Sequence, residues 1–342
     1  MRSVRFHELT SRGQVQRLRR TAFAALAAYP LDVARLRLLS HGFNTIFRVD
    51  TTDGRRFALR LNVNSRRAAA NLAAEMAWLA ALTDETDLWV PTPQPTRDGS
   101  LTASAFSSDL GRELPAALFS WLPGGDLGDA ATPAQMRAVG RATALLHHHA
   151  ATWRLPAGAE LPAIDSVLMD VPDHFGDPHP LLTDDHRAVI DRAMSHVQRH
   201  YDALFAGARR QPLHADLHVW NLKWHRGRLI VFDFDDSGMG VPAQDVAISA
   251  YYLRDNAAQE AALLEGYQEV QPLPACSTEQ FEAMVASRNL VLLNDVLTTT
   301  NAEWLAMLPR YVPNSITKLQ AYLDTGVFRH EVPGLLTAPA GS

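Results

Sequence analysis

The chain of 342 residues carries a single cysteine, Cys276. One thiol excludes an intramolecular disulfide and any structural zinc site built on cysteines, and a reducing compartment is its default setting. Lysine is nearly as scarce. Of 32 basic residues only Lys223 and Lys318 are lysine and the other 30 are arginine, so a motif that expects a lysine before residue 223 has only arginine to serve it. No run approaches the ~18 to 20 apolar residues of a membrane helix, and no repeat of fixed period is present. Nor is there an excess of charge: 37 acidic against 32 basic residues give a net charge of −5, which provides no global electrostatic reason to expect nucleic acid. An Ala-rich stretch after Arg19-Arg20 imitates a signal peptide, but Tyr29 and Pro30 interrupt it. A cytoplasmic location without membrane association is expected.

What is present fits a globular chain, with 47% hydrophobic, 20% charged and 8% aromatic residues. At roughly 150 residues per domain the length suggests two domains. From about residue 36 the pattern is β-like: Arg37-Leu38-Leu39, a turn at Ser40-His41-Gly42-Phe43-Asn44, then Thr45-Ile46-Phe47-Arg48-Val49. Asp53-Gly54 signals a tight turn into Phe57-Ala58-Leu59-Arg60-Leu61-Asn62, whose period of two places Ala58, Arg60 and Asn62 on one face. Residues 66–82 read as a helix carrying Leu72, Met76, Leu79 and Glu75. Beyond the breaks at Pro91, Pro93 and Pro95, the Arg97-Asp98-Gly99-Ser100 sequence suggests a second hairpin, and 117–122 a last apolar strand.

Pro123-Gly124-Gly125 marks the expected boundary. It gives an N-terminal lobe over 1–122, with a helical extension over 1–35, and a C-terminal lobe over 123–342. In the latter, residues 133–149 read as a helix with Pro133 in its first turn. An irregular Pro-rich stretch follows over 155–180, then a helix over 184–206, and further helices fill 245–324.

The chemistry concentrates between them. His214-Ala215-Asp216-Leu217-His218-Val219-Trp220-Asn221 has the form H-x-D-x-x-x-x-N, and Leu229-Ile230-Val231-Phe232 is an apolar strand that runs into Asp233-Phe234-Asp235-Asp236. Phosphoryl transfer from ATP needs such parts: an aspartate for the proton of the acceptor hydroxyl, and an amide with a second aspartate to hold Mg2+ against the phosphates.

Over residues 36–255 the chain resembles the aminoglycoside phosphotransferase, choline kinase and homoserine kinase type II superfamily. The resemblance implies an α+β, protein-kinase-like fold of two lobes, with a small antiparallel sheet in the N-lobe and a larger, mostly helical C-lobe. It implies Asp216 as the catalytic residue, Asn221 and Asp233 as Mg2+ ligands, and Asp245 as a structural brace of the catalytic loop. Ser40, Gly42 and Asn44 would lie in the nucleotide-covering loop, and backbone near Ser120, Trp121 and Leu122 would meet adenine. The departure is Ala58-Leu59-Arg60, where the kinase pattern has Ala-x-Lys. Arg60, paired with Glu75, would take that role, since guanidinium is always charged and suits bidentate contacts. ATP and Mg2+ are the implied cofactors and a small-molecule hydroxyl the implied acceptor, with a monomer or homodimer as the expected state.

Two other readings stay open: a Ser/Thr protein kinase of the same fold, and a nucleotide-binding regulator without turnover. Several lesser signals have plainer explanations. Adjacent helical residues point about 100° apart, so His147, His148 and His149 do not converge on one ion. His214 and His218 fit a loop better than a metallohydrolase centre. Asp235 and Asp236 are expected in a solvated turn, and Asn294 and Asp295 on an exposed polar face.

Overall fold

The computed structural model describes residues 5–65, 67–299 and 302–337. The chain divides into two compact units. The first comprises Met1–Gly125 with Arg154–Leu161 and Lys223–Asp235, and the second Asp126–Trp153, Pro162–Leu222 and Asp236–Ser342. The first stretch therefore ends after Gly125, beside the expected boundary at 122, and two later segments return to the first unit.

In the first unit, helix α1 (Ser11–Leu26) precedes strands β1 (Val33–His41), β2 (Asn44–Thr51) and β3 (Arg56–Asn62). After α2 (Ala69–Glu85) come β4 (Ala103–Ser107) and β5 (Arg112–Ser120). The sheet is antiparallel in the order β1-β2-β3-β5-β4. Because strand side chains alternate, β3 sends Leu59 and Leu61 into a core with Leu18, Ala22 and Ala25 of α1. Thus α1 is no appendage: it closes one face of the sheet, with the Thr10 hydroxyl capping its start. Arg60, pointing the other way, is buried too.

The helix read from residue 66 spans Ala69–Glu85, and residue 66 itself lies outside the described residues. The second hairpin is displaced from its expected place. Asp98-Gly99 does form a turn, with the Gly99 amide on the Thr96 carbonyl at 3.1 Å. The reversal between β4 and β5, however, is made at Gly111, whose amide bonds the Ser107 carbonyl at 2.8 Å. An Asp-Gly pair specifies a local turn, but which turn joins two strands depends on where apolar partners lie on either side.

The short β6 (Gly125–Asp126) leads to α3 (Pro133–Ala150) and α4 (Asp184–Phe205), and no helix interrupts 155–180. The short strand β7 (Gln211–Leu213) precedes the loop over 214–221, and β8 (Leu222–His225) and β9 (Arg228–Val231) form a hairpin. Strand β10 (Gly238–Gly240) then pairs antiparallel with β7. Helices α5 (Pro242–Tyr251), α6 (Ala257–Gln268), α7 (Thr278–Leu297) and α8 (Ala302–Thr325) complete the second unit. Its main core gathers α4, α5, α7 and α8 around Ile190, Val197, Ala247, Leu290, Leu293 and Leu319. Among the described residues no helix is long and apolar enough to cross a membrane.

Helices α3 and α6 approach backbone to backbone through glycines. A Cβ on Gly140 would stand 1.9 Å from the Leu263 carbonyl oxygen, and one on Gly266 would stand 2.0 Å from that of Arg137. Gly140→Ala should raise helix propensity by ~1 kcal/mol yet lower stability by about 3 kcal/mol through overpacking. Urea unfolding tests this directly, and a midpoint that stays or rises would contradict the close approach.

Candidate active site

In the second unit, the loop over 214–221 is built around one buried carboxylate. Asp245, in the first turn of α5, accepts the Ala215 amide on Oδ1 at 2.7 Å and the His214 amide on Oδ2 at 3.1 Å. Its Oδ2 also meets His147 Nε2 at 3.0 Å, while His147 Nδ1 faces the Tyr267 hydroxyl at 2.9 Å. Burial disfavours the charged form, but the bond from His147, the electrostatic pull of the His147 and His214 rings and the Ala215 amide outweigh it and hold the Asp245 carboxyl below the ordinary range. These bonds secure an unusual backbone: Ala215 sits at φ 64, a left-handed conformation that costs a residue with a Cβ on the order of 1 kcal/mol. In the His147-His148-His149 run, His147 and His149 are buried and His148 is exposed, and His147 has a structural task.

That loop delivers Asp216 with both carboxylate oxygens engaged. Oδ2 accepts from Asn221 Nδ2 at 2.8 Å and meets His218 Nε2 at 3.3 Å. His218 Nδ1 accepts the Trp220 amide at 3.2 Å, which leaves Nε2 to carry the hydrogen. Oδ1 is taken by Arg288 Nη2 from α7, and the same guanidinium donates to the Tyr252 hydroxyl from Nη2 at 2.8 Å and from Nε at 3.2 Å. Burial alone would push the Asp216 carboxyl up. The Arg288 charge and the bond from His218 prevail and hold it at about 2.

Asn221 also gives an amide hydrogen to the Asp216 carbonyl at 2.9 Å. With both its hydrogens committed, its carbonyl oxygen is the atom suited to a hard cation, and Asp233 likewise offers oxygen. This donor chemistry fits Mg2+. Among the described residues no three His, Cys, Asp or Glu converge as a metal cage.

In the first unit, Arg60 and Glu75 form a buried fork-to-fork pair, Nη1 to Oε1 at 2.8 Å and Nη2 to Oε2. Burial works against the Arg60 charge, but Glu75, with Asp235 and Asp233 further off, more than restores it. The Phe119 ring lies 5.4 Å beneath the guanidinium, and Arg60 Nε is buried with no hydrogen-bond partner among the described residues. Asn44 donates from Nδ2 to Asp235 Oδ2 at 2.5 Å, and Arg67 Nε donates to the Asp235 carbonyl at 2.8 Å. Asp235 is thus tied to the β1–β2 turn, whereas Asp236 is exposed. Asp233 is exposed as well, at φ 68, and the adjacent Phe234 is anchored edge-on against Trp78 of α2 at 5.5 Å.

Gly42 closes the β1–β2 turn with its amide on the Asn44 carbonyl at 2.9 Å, and Ser40 is exposed beside it. The Ser120 amide bonds the Thr92 carbonyl at 2.9 Å and the Ser120 hydroxyl accepts the Thr92 amide at 3.0 Å. Both groups are therefore committed to the strand end from which Trp121 and Leu122 emerge.

Within the second unit the structure brings Asp216 and Asn221 together, and within the first it joins Arg60 to Glu75 and Asn44 to Asp235. One expectation is overturned. Asn294 is fully buried rather than on an exposed face, donating to the Pro172 carbonyl at 2.8 Å and accepting the His174 amide at 2.8 Å. Sequence reasoning missed Arg288 and Tyr252. The available signal was an arginine inside the largely apolar stretch Met284-Val285-Ala286-Ser287-Arg288-Asn289-Leu290-Val291, in which only Ser287 and Asn289 are also polar and where a charge needs a buried partner.

Asp216 has an ordinary carboxyl value of 3.8 and is held at about 2 in the fold. The folded state thus binds fewer protons in that window. Its contribution to stability is complete above pH ~4 and is lost as the pH falls toward ~2. Urea midpoints between pH 2 and 6 should decline less steeply for Asp216→Asn than for the parent chain. Parallel curves would show that Arg288 does not hold this carboxylate.

A family model described as the phosphotransferase enzyme family matches residues 35–277. The curated amicoumacin kinase of Bacillus subtilis (strain 168) is 24% identical over 236 residues, 66% of this chain and 66% of that protein, so the match spans just under two thirds of the relative's length. Among solved structures, a microcompartment-associated aminopropanol kinase aligns at TM-score 0.77 and 26% identity, covering 91% of this chain and 99% of that one. An amicoumacin kinase in complex with AMP-PNP, Ca2+ and Ami aligns at 0.68 and 17% identity, covering 90% and 96%. A spectinomycin phosphotransferase in complex with ADP and spectinomycin aligns at 0.55 and 12%, covering 93% and 96%. The last two likenesses are of fold alone.

Proposed function

Because the chain belongs to the phosphotransferase enzyme family, we propose that it transfers the γ-phosphate of ATP, with Mg2+, to a hydroxyl of a small molecule. The observation that carries this reading is the Asp216 carboxylate, presented by a braced loop and bonded to Asn221 at 2.8 Å. A carboxylate held at about 2 is a weak base. Its work is to orient the acceptor hydroxyl by accepting its hydrogen bond, which raises the fraction of encounters in attacking geometry. The acceptor oxygen bonds to the γ-phosphorus as the bridging P–O bond breaks. ADP leaves with that electron pair, and the hydroxyl proton passes late to Asp216 and on to water.

Asn221 and Asp233 would hold the metal, which when bound neutralises charge on the phosphates. Arg60 would take the place of the usual lysine. Glu75 fixes its plane, and its persistent charge suits phosphate oxygens. Ser40, Gly42 and Asn44 would cover the phosphates, and the chain at Ser120 and Leu122 would meet adenine. The likeness to an aminopropanol kinase puts small amino alcohols first among candidate acceptors, ahead of aminoglycosides, homoserine, choline and sugar alcohols. The single cysteine and the lack of a membrane-crossing helix among the described residues support a cytoplasmic place for this reaction.

A panel of these acceptors, read by ATP consumption with Mg2+, is the direct test. Turnover with one of them should fall by ~10²- to 10⁴-fold in Asp216→Ala while ATP binding is retained. Full activity in that variant would defeat the assignment. Arg60→Ala should weaken nucleotide use strongly and Arg60→Lys should retain part of it, whereas an unaffected Arg60→Ala would remove Arg60 from the site.

A further inference from the structure

Arg288 is a buried charged residue beside the Asp216 carboxylate. It enters from α7, where all residues over 282–291 are buried. An isolated guanidinium there would be prohibitively unfavourable, and apolar residues of similar volume pack such sites at least as well as an ion pair. Stability therefore does not account for an arginine. Its contacts do. The Nη2 hydrogens reach Asp216 Oδ1 and the Tyr252 hydroxyl, Nε reaches the same hydroxyl at 3.2 Å, and Cζ lies 5.6 Å from the Tyr252 ring. Tyr252 is the C-cap residue of α5, the helix whose first turn carries Asp245. The guanidinium is thereby held in a fixed plane against the loop, and the opposite carboxylate oxygen is held by Asn221 and His218.

We propose that Arg288 is a positioning residue for phosphoryl transfer, fixing the Asp216 carboxylate in the orientation from which it accepts the hydrogen bond of the acceptor hydroxyl. This rests on the role given to Asp216 above. A carboxylate has two torsions to settle. Donors on Oδ2 alone let Oδ1 swing, whereas a donor on each oxygen leaves one arrangement. Lysine in this place would be a single-point donor without the planar fork that spans Asp216 and Tyr252.

The test is steady-state kinetics at saturating ATP on Arg288→Met, Arg288→Lys, Tyr252→Phe and Asp216→Ala. The acceptor is the one that turns over fastest in the panel, or water where none does. Arg288→Met should lower kcat by about 10²-fold, the scale of a misplaced catalytic group, with the KM for ATP little changed. Added methylguanidinium should restore part of kcat in that variant and none in Asp216→Ala. Arg288→Lys should be intermediate, and Tyr252→Phe, which removes the hydroxyl that orients the guanidinium, should lower kcat severalfold without altering the KM for ATP.

An Arg288→Met enzyme with undiminished kcat beside an inactive Asp216→Ala overturns this proposal and leaves the transfer reading standing. So does a loss that methylguanidinium does not rescue and that raises the KM for ATP in step with a lowered Tm. Should Arg288→Met fail to fold, an undiminished kcat in Tyr252→Phe overturns the proposal and a lowered one upholds it. An active Asp216→Ala takes down both readings.

Discussion

Everything in the loop over 214–221 hangs on the Asp245 carboxylate. It is fully buried, and what makes its burial tolerable is that four hydrogen-bonding groups surround it in the fold: two loop amides, the His147 imidazole and, through it, the Tyr267 hydroxyl. A buried charge so satisfied is also directional. It selects the one loop conformation in which the His214 and Ala215 amides both face it, including the left-handed turn at Ala215. The place of Asp216 follows from that turn. The brace, the loop and the carboxylate form a chain of dependence that begins in α5, reaches back to α3 through His147, and is joined from α7 by Arg288.

Arginine carries the buried charge pairs at the two sets of candidate site residues. In the first unit it is Arg60 against Glu75, and in the second Arg288 against Asp216. The shortage of lysine is a property of the whole chain, but its consequence is local. Each pair uses the planarity of guanidinium, Arg60 by engaging both oxygens of one carboxylate and Arg288 by spanning a carboxylate and a phenol. A lysine can supply the charge in either place but not the plane.

The elements were legible where a periodic pattern met a boundary signal. Pro133 opens α3, Asp184 opens α4, and the alternation over Phe57-Ala58-Leu59-Arg60-Leu61-Asn62 correctly separates the core-facing Leu59 and Leu61 from Arg60. The hairpin at Asp98-Gly99 was misplaced because turn propensity is local, whereas pairing β4 with β5 depends on which residues face Leu114 and Ala116 across the sheet, here Ala105 and Ala103. Asn294 was misjudged for a related reason. A polar residue on a helix reads as exposed until another segment, here 172–174, brings it backbone groups to satisfy.

The residue types of the site and their order along the chain were determined by the sequence alone. H-x-D-x-x-x-x-N, an apolar strand and an aspartate constitute a covalent pattern, and so does the substitution of Arg60 for lysine. Those features survive any rearrangement of the chain, which is why they can be read without a structure. Only the tertiary structure decided which distant groups complete them. Arg288 lies 72 positions from Asp216, and His147 lies 98 from Asp245. No periodicity or spacing encodes a contact at such separations, because it arises when whole helices pack and buried charges must find partners. The parts of the site were thus written in the chain, and their supports were settled by packing.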